Sequence, residues 1–146
     1  MPMDKRQTRL LDPAKLDSHL RRTSRAQTTE KPQSLRFVLS NMSAVFDVPV
    51  RQFMILGRRI GPDDNQVDID LDPYRGFEHG VSRYHAIIQV NRGRLFVKDT
   101  SSSNGSRLNG FMMQPLKNYP LRDGDALTLG NLKVRVYFLG VERTGN

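Results

Sequence analysis

From Ser34 to Leu139 apolar residues arrive in short runs, each broken by a turn, and no stretch keeps a helical period. That rhythm restricts the chain more than any single residue does. Runs of this length with period-two alternation make strands, whereas an amphipathic helix needs apolar positions recurring every three to four residues. The first candidates are Leu35 to Leu39, Ala44 to Val48 and Gln52 to Leu56, the last running into Gly57. Val67 to Leu71, His85 to Val90, Leu95 to Lys98, a short piece at Ser106 to Leu108, and Ala126 to Leu129 follow. Leu132 to Leu139 closes the set, with Lys133 and Arg135 alternating against apolar neighbours. Turns at Asn91-Arg92-Gly93, Arg122-Asp123-Gly124-Asp125 and Gly130-Asn131 separate about ten strands, which predicts an all-β, antiparallel β-sandwich. In such a fold the loops gather at two ends, so a site built from several loops belongs at one of them.

The first 33 residues do not share the pattern. Through Ser34 the chain carries eight Lys/Arg and four Asp/Glu, half of the net charge of +8 in under a quarter of the 146 residues. Too polar to contribute a core, residues 1–33 read as a largely disordered basic tail. Within it one short helix is conceivable, capped by Asp12, opened by Pro13 and carrying Leu16 and Leu20 one turn apart. It is too short to persist without docking. The expected organisation is therefore a tail over 1–33, one folded domain over 34–141 and a C-terminal tail over 142–146. With no cysteine there is neither a disulfide framework nor a thiolate metal site, and three scattered histidines offer no metal centre and no cofactor site. No run approaches the ~20 apolar residues of a membrane span, and Met1 to Arg6 lacks the apolar segment of a secretory signal. A soluble intracellular, cytoplasmic protein is expected.

Chemistry concentrates in three separated pieces at loop-like positions. Gly57-Arg58 follows a strand, where a guanidinium can donate a forked pair of bonds to phosphate oxygens. Ser82-Arg83-Tyr84-His85 supplies a hydroxyl donor, a second cation and an imidazole placed at a strand entrance, where it braces the turn. Ser101-Ser102-Ser103-Asn104-Gly105 is a polar turn whose carboxamide can both receive a backbone N–H and donate to a carbonyl. Asn109-Gly110 repeats the turn chemistry. Small hydroxyls, a carboxamide and arginines are what holding a phosphate ester requires without reacting with it.

Two other classes compete. A hydrolase would make Ser82 the nucleophile, His85 its base and Asp99 the orienting acid, but no nucleophile-elbow sequence is present and Ser82 and His85 lie three residues apart in extended chain. Nucleic-acid binding draws on the basic balance and the Lys133/Arg135 alternation, yet neither a reading motif nor an aromatic platform among the basic residues accompanies it. No nucleic-acid partner and no enzymatic activity are expected.

Taken together, Gly57-Arg58, Ser82-Arg83-Tyr84-His85-Ala86, Asp99 with Ser103 to Gly110, and Leu121 to Asp125 with Leu129-Gly130 make the chain resemble a forkhead-associated (FHA) domain over residues 35 to 140. The resemblance implies an eleven-stranded sandwich that binds phosphothreonine peptides through its apical loops. Arg58 and Ser82 would contact the phosphate, Arg83 and Ser103 would support it, and Asn104 would hold the peptide backbone. Gly57, His85, Gly105 and Asn109 would build the loops, Asn109 tying them together. It also implies an apolar niche for the threonine methyl beside Asn104. Ser106 stands where members often carry Thr, and the Asp72 to Gly80 loop is longer than in many members. That loop makes Arg75, Glu78 and Gly80, with Arg107, candidates for reading flanking side chains. The partners expected are phosphothreonine proteins downstream of Ser/Thr kinases, and Thr23, Thr28 or Thr29 of the chain's own tail.

Overall fold

The computed structural model describes residues 30–39 and 43–143. The expected tail, its short helix and Thr23, Thr28 and Thr29 lie outside them. Lys31–Val141 forms one compact unit. Its eleven strands, in chain order, are β1 (Ser34–Leu39), β2 (Ala44–Pro49), β3 (Phe53–Gly57), β4 (Ile69–Asp70), β5 (Tyr84–Asn91) and β6 (Arg94–Asp99). They continue as β7 (Ser106–Leu108), β8 (Phe111–Met112), β9 (Asn118–Pro120), β10 (Asp125–Leu129) and β11 (Leu132–Leu139). Two further two-residue strands, Glu30–Lys31 and Glu142–Arg143, belong to a small separate sheet.

One sheet has the order β8-β7-β10-β11-β1-β2 and the other β9-β6-β5-β3-β4. The longer strands turn one side chain set to the space between them. On β11 the alternation holds over six residues: Leu132, Val134 and Val136 are buried while Lys133, Arg135 and Tyr137 face outward. On β1, Leu35, Phe37 and Leu39 are fully buried, and they meet Met54, Leu56, Ile88 and Val97 of the other sheet in one continuous core. Burying side chains of this size stabilises by roughly 1.5–3 kcal/mol each, which is why a chain with no helix longer than one turn among its described residues folds as a unit. None of these helices is long and apolar enough to cross a membrane.

Three details depart from the strand pattern that the sequence suggests. Strands β8 and β9 carry no sequence signal, being two and three residues long and mostly exposed, the second ending in Pro120. The pairing of β3 with β4 is parallel, Leu56 opposite Ile69 and Gly57 opposite Asp70, whereas the other pairings described are antiparallel. A parallel neighbour needs a crossover, and residues 58–68 supply it, with Asp68 holding the Ile55 amide at 2.8 Å. Finally, the Asp72 to Gly80 loop is anchored rather than loose. It opens with a one-turn 3₁₀ helix at Asp72–Tyr74, and Tyr74 stacks on Phe46, which stacks on Phe37, with centroids 5.2 and 5.3 Å apart. An aromatic column thus ties this loop to the core.

Candidate functional site

Gly57 ends β3 at a bulge where the register with β5 shifts. A Cβ there would stand 1.8 Å from the Arg83 carbonyl oxygen, so only glycine lets the two backbones approach. The Arg58 amide then bonds that same carbonyl at 3.0 Å, locking Arg58 beside the Ser82-Arg83 segment.

The Arg58 side chain is held on three sides. Its Nε donates to the Val81 carbonyl at 2.6 Å, its guanidinium lies 5.0 Å from the centroid of the Phe77 ring, and one terminal nitrogen is 3.9 Å from Asp72. Gly76 adds to the clamp, since a Cβ there would come within 3.3 Å of the Arg58 Cδ. The terminal nitrogens keep unspent N–H donors, and only the partly exposed Asp72 competes for them. Arg59 is turned away: its Nε bonds the Val67 carbonyl at 3.1 Å and its amide bonds Asp70.

Ser82 meets the third loop directly. Its hydroxyl oxygen accepts the Ser103 N–H at 3.1 Å, which leaves the hydroxyl proton free to donate elsewhere. Asn104 spends one carboxamide N–H on the Gly80 carbonyl at 3.0 Å and keeps its oxygen to accept a bond. Gly80 is thereby the seat of Asn104, not a reader of side chains; its φ is +80° and a Cβ would come within 2.6 Å of the Asn104 amide nitrogen. Arg83 and Ser103 are exposed beside these groups.

Beneath the loops lies a buried polar hub. His85 is fully buried, accepts the Ser82 N–H at Nδ1 (2.9 Å) and faces the Gly105 carbonyl with Nε2 (2.9 Å). The ring is therefore the Nε2–H tautomer, and its one acceptor nitrogen is occupied by backbone. Ser82 and His85 do meet, because the chain bends between them, but through the serine amide and not its hydroxyl. His85 is therefore not available as a base to the Ser82 hydroxyl, and the imidazole bridges two loops.

Asp99 anchors the third loop. Its carboxylate accepts from the Ser101 and Ser102 amides at 3.0 and 3.1 Å and from the Ser102 and Ser106 hydroxyls at 2.6 Å each. The Ser102 hydroxyl in turn accepts the Gly105 N–H. The Gly105 carbonyl also receives the Gly130 N–H, and the Asn131 N–H bonds the His79 carbonyl, so the β10–β11 turn supports two site loops from below.

Asn109 stands apart from this cluster. At the far end of β7 its carboxamide donates to Asp125 at 3.0 Å and accepts the Ala126 N–H at 2.9 Å. It ties the β7–β8 turn to the start of β10, and its bonds do not reach the loops carrying Arg58, Ser82 and Asn104. Of the flank candidates, Arg75 and Glu78 are exposed on the long loop, while Arg107 faces outward on β7 opposite Thr128 and Met112. Phe77, Val81 and Asp99 carry much of the local geometry, and the sequence offers no pattern that singles out Phe77 or Val81.

Burial lowers the His85 pKa, against the Gly105 bond and the neighbouring Asp99, so the ring stays neutral. Asp99 is also lowered: burial raises it, and the bonds from Ser102 and Ser106 outweigh that. Both shifts carry the same sign for stability. The unfolded chain takes up protons first, so His85 contributes fully above ~6.5 and its contribution is lost as pH falls from there through its folded value; that of Asp99 is lost at lower pH. Urea midpoints should accordingly fall between pH 7 and 5, with a shallower fall in His85→Gln; equal slopes would remove His85 as the cause.

The domain model described as "FHA domain" matches residues 54–130. Pre-mRNA leakage protein 1 of Saccharomyces cerevisiae is 32% identical over 100 residues, covering 60% of this chain and 48% of that protein. Among solved structures, the FHA domain of a hypothetical protein of Arabidopsis thaliana is similar with a TM-score of 0.62 and 25% identity, over 84% of this chain and 99% of that one. The N-terminal FHA domain of Rad53p from S. cerevisiae, solved with a phosphothreonine peptide, superposes with a TM-score of 0.54 at 21% identity, over 72% and 93% of the two chains. The chain spans from a tenth to about half of the length of the curated relatives it matches.

Proposed function

We propose, since the chain belongs to the FHA domain family, that it is a phosphothreonine-binding module and performs no chemistry on its ligand. One observation carries the reading: after every internal bond is counted, the apical loops still present the guanidinium donors of Arg58, the hydroxyl proton of Ser82 and the carboxamide oxygen of Asn104 on one surface. Arg58 and Ser82 contact the phosphate, exposed Arg83 and Ser103 support it, and Asn104 receives a peptide N–H. A phosphothreonine brings about −1.5 to −2 charges and three acceptor oxygens, which match donors that an unmodified threonine leaves unpaired. The Rad53p likeness supports the reading, because the same fold there holds such a peptide.

The biological role that fits is an adaptor downstream of Ser/Thr kinases, working where those kinases work, inside the cell. Thr23, Thr28 and Thr29 give the chain a ligand of its own: once phosphorylated, a tethered threonine reaches the site at high effective concentration and competes with partners or links copies head to tail. Removing residues 1–29 before kinase treatment separates the two, since unchanged peptide affinity sets self-binding aside.

Calorimetry with matched peptides tests the main reading. A phosphothreonine peptide should bind at least about 100-fold more tightly than its unphosphorylated form, the value of two or more charge-assisted bonds. Replacing phosphothreonine by phosphoserine should cost only about fivefold, one methyl's burial. Equal binding of phosphorylated and plain peptides would falsify the proposal.

A further inference from the structure

A groove of about 450 Å³ opens between the crossover at residues 60–66 and Tyr84. Its walls mix two kinds of surface. Ile60 and Tyr84 are 64% and 44% exposed, so an aliphatic and an aromatic surface face solvent there. Asp63, in the same lining, is exposed and, among the described residues, takes part in no hydrogen bond or ion pair. Its neighbour Asp64 is already spent, accepting the Ile60 and Gln66 amides at 3.2 and 3.0 Å and so fixing the shape of the crossover.

Two of the residues lining the groove follow the phosphate-site residues closely along the backbone. Ile60 is two residues beyond Arg58, Tyr84 two beyond Ser82, and Gly57 is the register partner of Tyr84. A peptide that places its phosphate between Arg58 and Ser82 therefore has a neighbouring residue within reach of the groove. Arg59 does not fill it, being bonded to the Val67 carbonyl and to Asp70. Arg83, next to Tyr84, is the other cation adjacent in sequence, and the phosphate neutralises that side of the site when bound.

We propose, resting on the phosphothreonine reading, that this groove selects phosphopeptides carrying a lysine or arginine beside the phosphothreonine. The aliphatic stem lies along Ile60, the cation sits over the Tyr84 ring, and Asp63 takes the charge. A long cationic side chain fits because it is apolar along its stem and charged at its tip, and the groove's lining offers Ile60 and Tyr84 to the one and Asp63 to the other. An acidic flank meets Asp63 unfavourably, and a purely apolar flank leaves the carboxylate uncovered.

The test scans a single lysine through the flanking positions of one phosphothreonine peptide against an all-alanine flank, with affinity read by fluorescence anisotropy. At one position lysine should tighten binding about fivefold, what an exposed ion pair and a cation–π contact together supply. The lysine-to-alanine ratio at that position should fall towards one in Asp63→Asn, and Asp63→Lys should turn the preference to glutamate. A preference for leucine over lysine, or a lysine preference that survives both Asp63 variants, overturns the proposal. Binding of every phosphopeptide with no flank preference overturns it too, while the phosphothreonine reading stands. If no phosphopeptide binds, both fail together.

Discussion

Replacing Gly57 by alanine is expected to destabilise the domain by about 3 kcal/mol, the upper end of what overpacking at a fixed backbone costs. The origin is not conformational freedom but approach. An added Cβ would stand 1.8 Å from the Arg83 carbonyl oxygen, 2.6 Å from its carbon and 3.0 Å from the Ser82 oxygen, all of them main-chain atoms that cannot swing aside as a flexible side chain would. Relief requires β3 and β5 to part at the bulge. Parting them breaks the Arg58 amide bond to Arg83 and shifts Ser82 away from Arg58, so binding should be lost with stability. In a domain of this size the loss corresponds to about 10–20 °C in Tm. Gly61 provides the comparison, because a Cβ there meets nothing within 4 Å and Gly61→Ala should leave the urea midpoint where it is. Matching midpoints for Gly57→Ala and the wild type would mean that the two strands do not press together as described.

How far the sequence discloses this arrangement depends on the range over which each feature acts. Period-two alternation is local, so β1, β5, β6 and β11 can be read from it: Lys133, Arg135 and Tyr137 fall on one face because neighbouring residues must. Strands β8 and β9 exist only because β7 and β6 offer them partners, and Phe111, Met112 and Pro120 show no alternation of their own. The parallel β3–β4 pair is invisible for a related reason, since its partners are brought together across the 58–68 crossover. At the site, the polar turn from Ser101 to Gly105 is legible as a turn. That Asp99 gathers three of its donors, and the Ser106 hydroxyl beyond it, is not, because a carboxylate at a strand end looks the same whether it is solvated or buried. Arg58 shows the limit most clearly: Phe77 and Val81, which aim it, are 19 and 23 residues away and have no special chemistry to mark them.

The second large effect concerns Arg58. Arg58→Ala should weaken phosphothreonine-peptide binding by about 100-fold or more, because on the proposed reading it would remove a bidentate charge-assisted contact and leave only Arg83 as a cation beside the phosphate. Folding should suffer far less, about 1 kcal/mol for the lost bond to Val81. The contrast separates a binding residue from a structural one. Arg58→Lys sharpens it further: lysine keeps the positive charge but loses both the fork and the guanidinium's place over Phe77. If charge alone held the phosphate, lysine would restore most of the affinity. With the guanidinium clamped between Phe77, Val81 and Asp72, its direction is fixed before ligand arrives, and lysine should recover only about a tenth of the binding. Phe77→Ala reports on that clamp directly, since it leaves every donor in place and only loosens the ring beneath Arg58; a fall of about threefold fits the loss of one exposed cation–π contact. Titrating the ligand adds an independent check. Near pH 6 and below, the phosphate loses its second charge, so wild-type affinity should drop there while the Arg58→Ala curve stays nearly flat. Full rescue by lysine, or parallel pH curves for the two proteins, would place the phosphate away from Arg58.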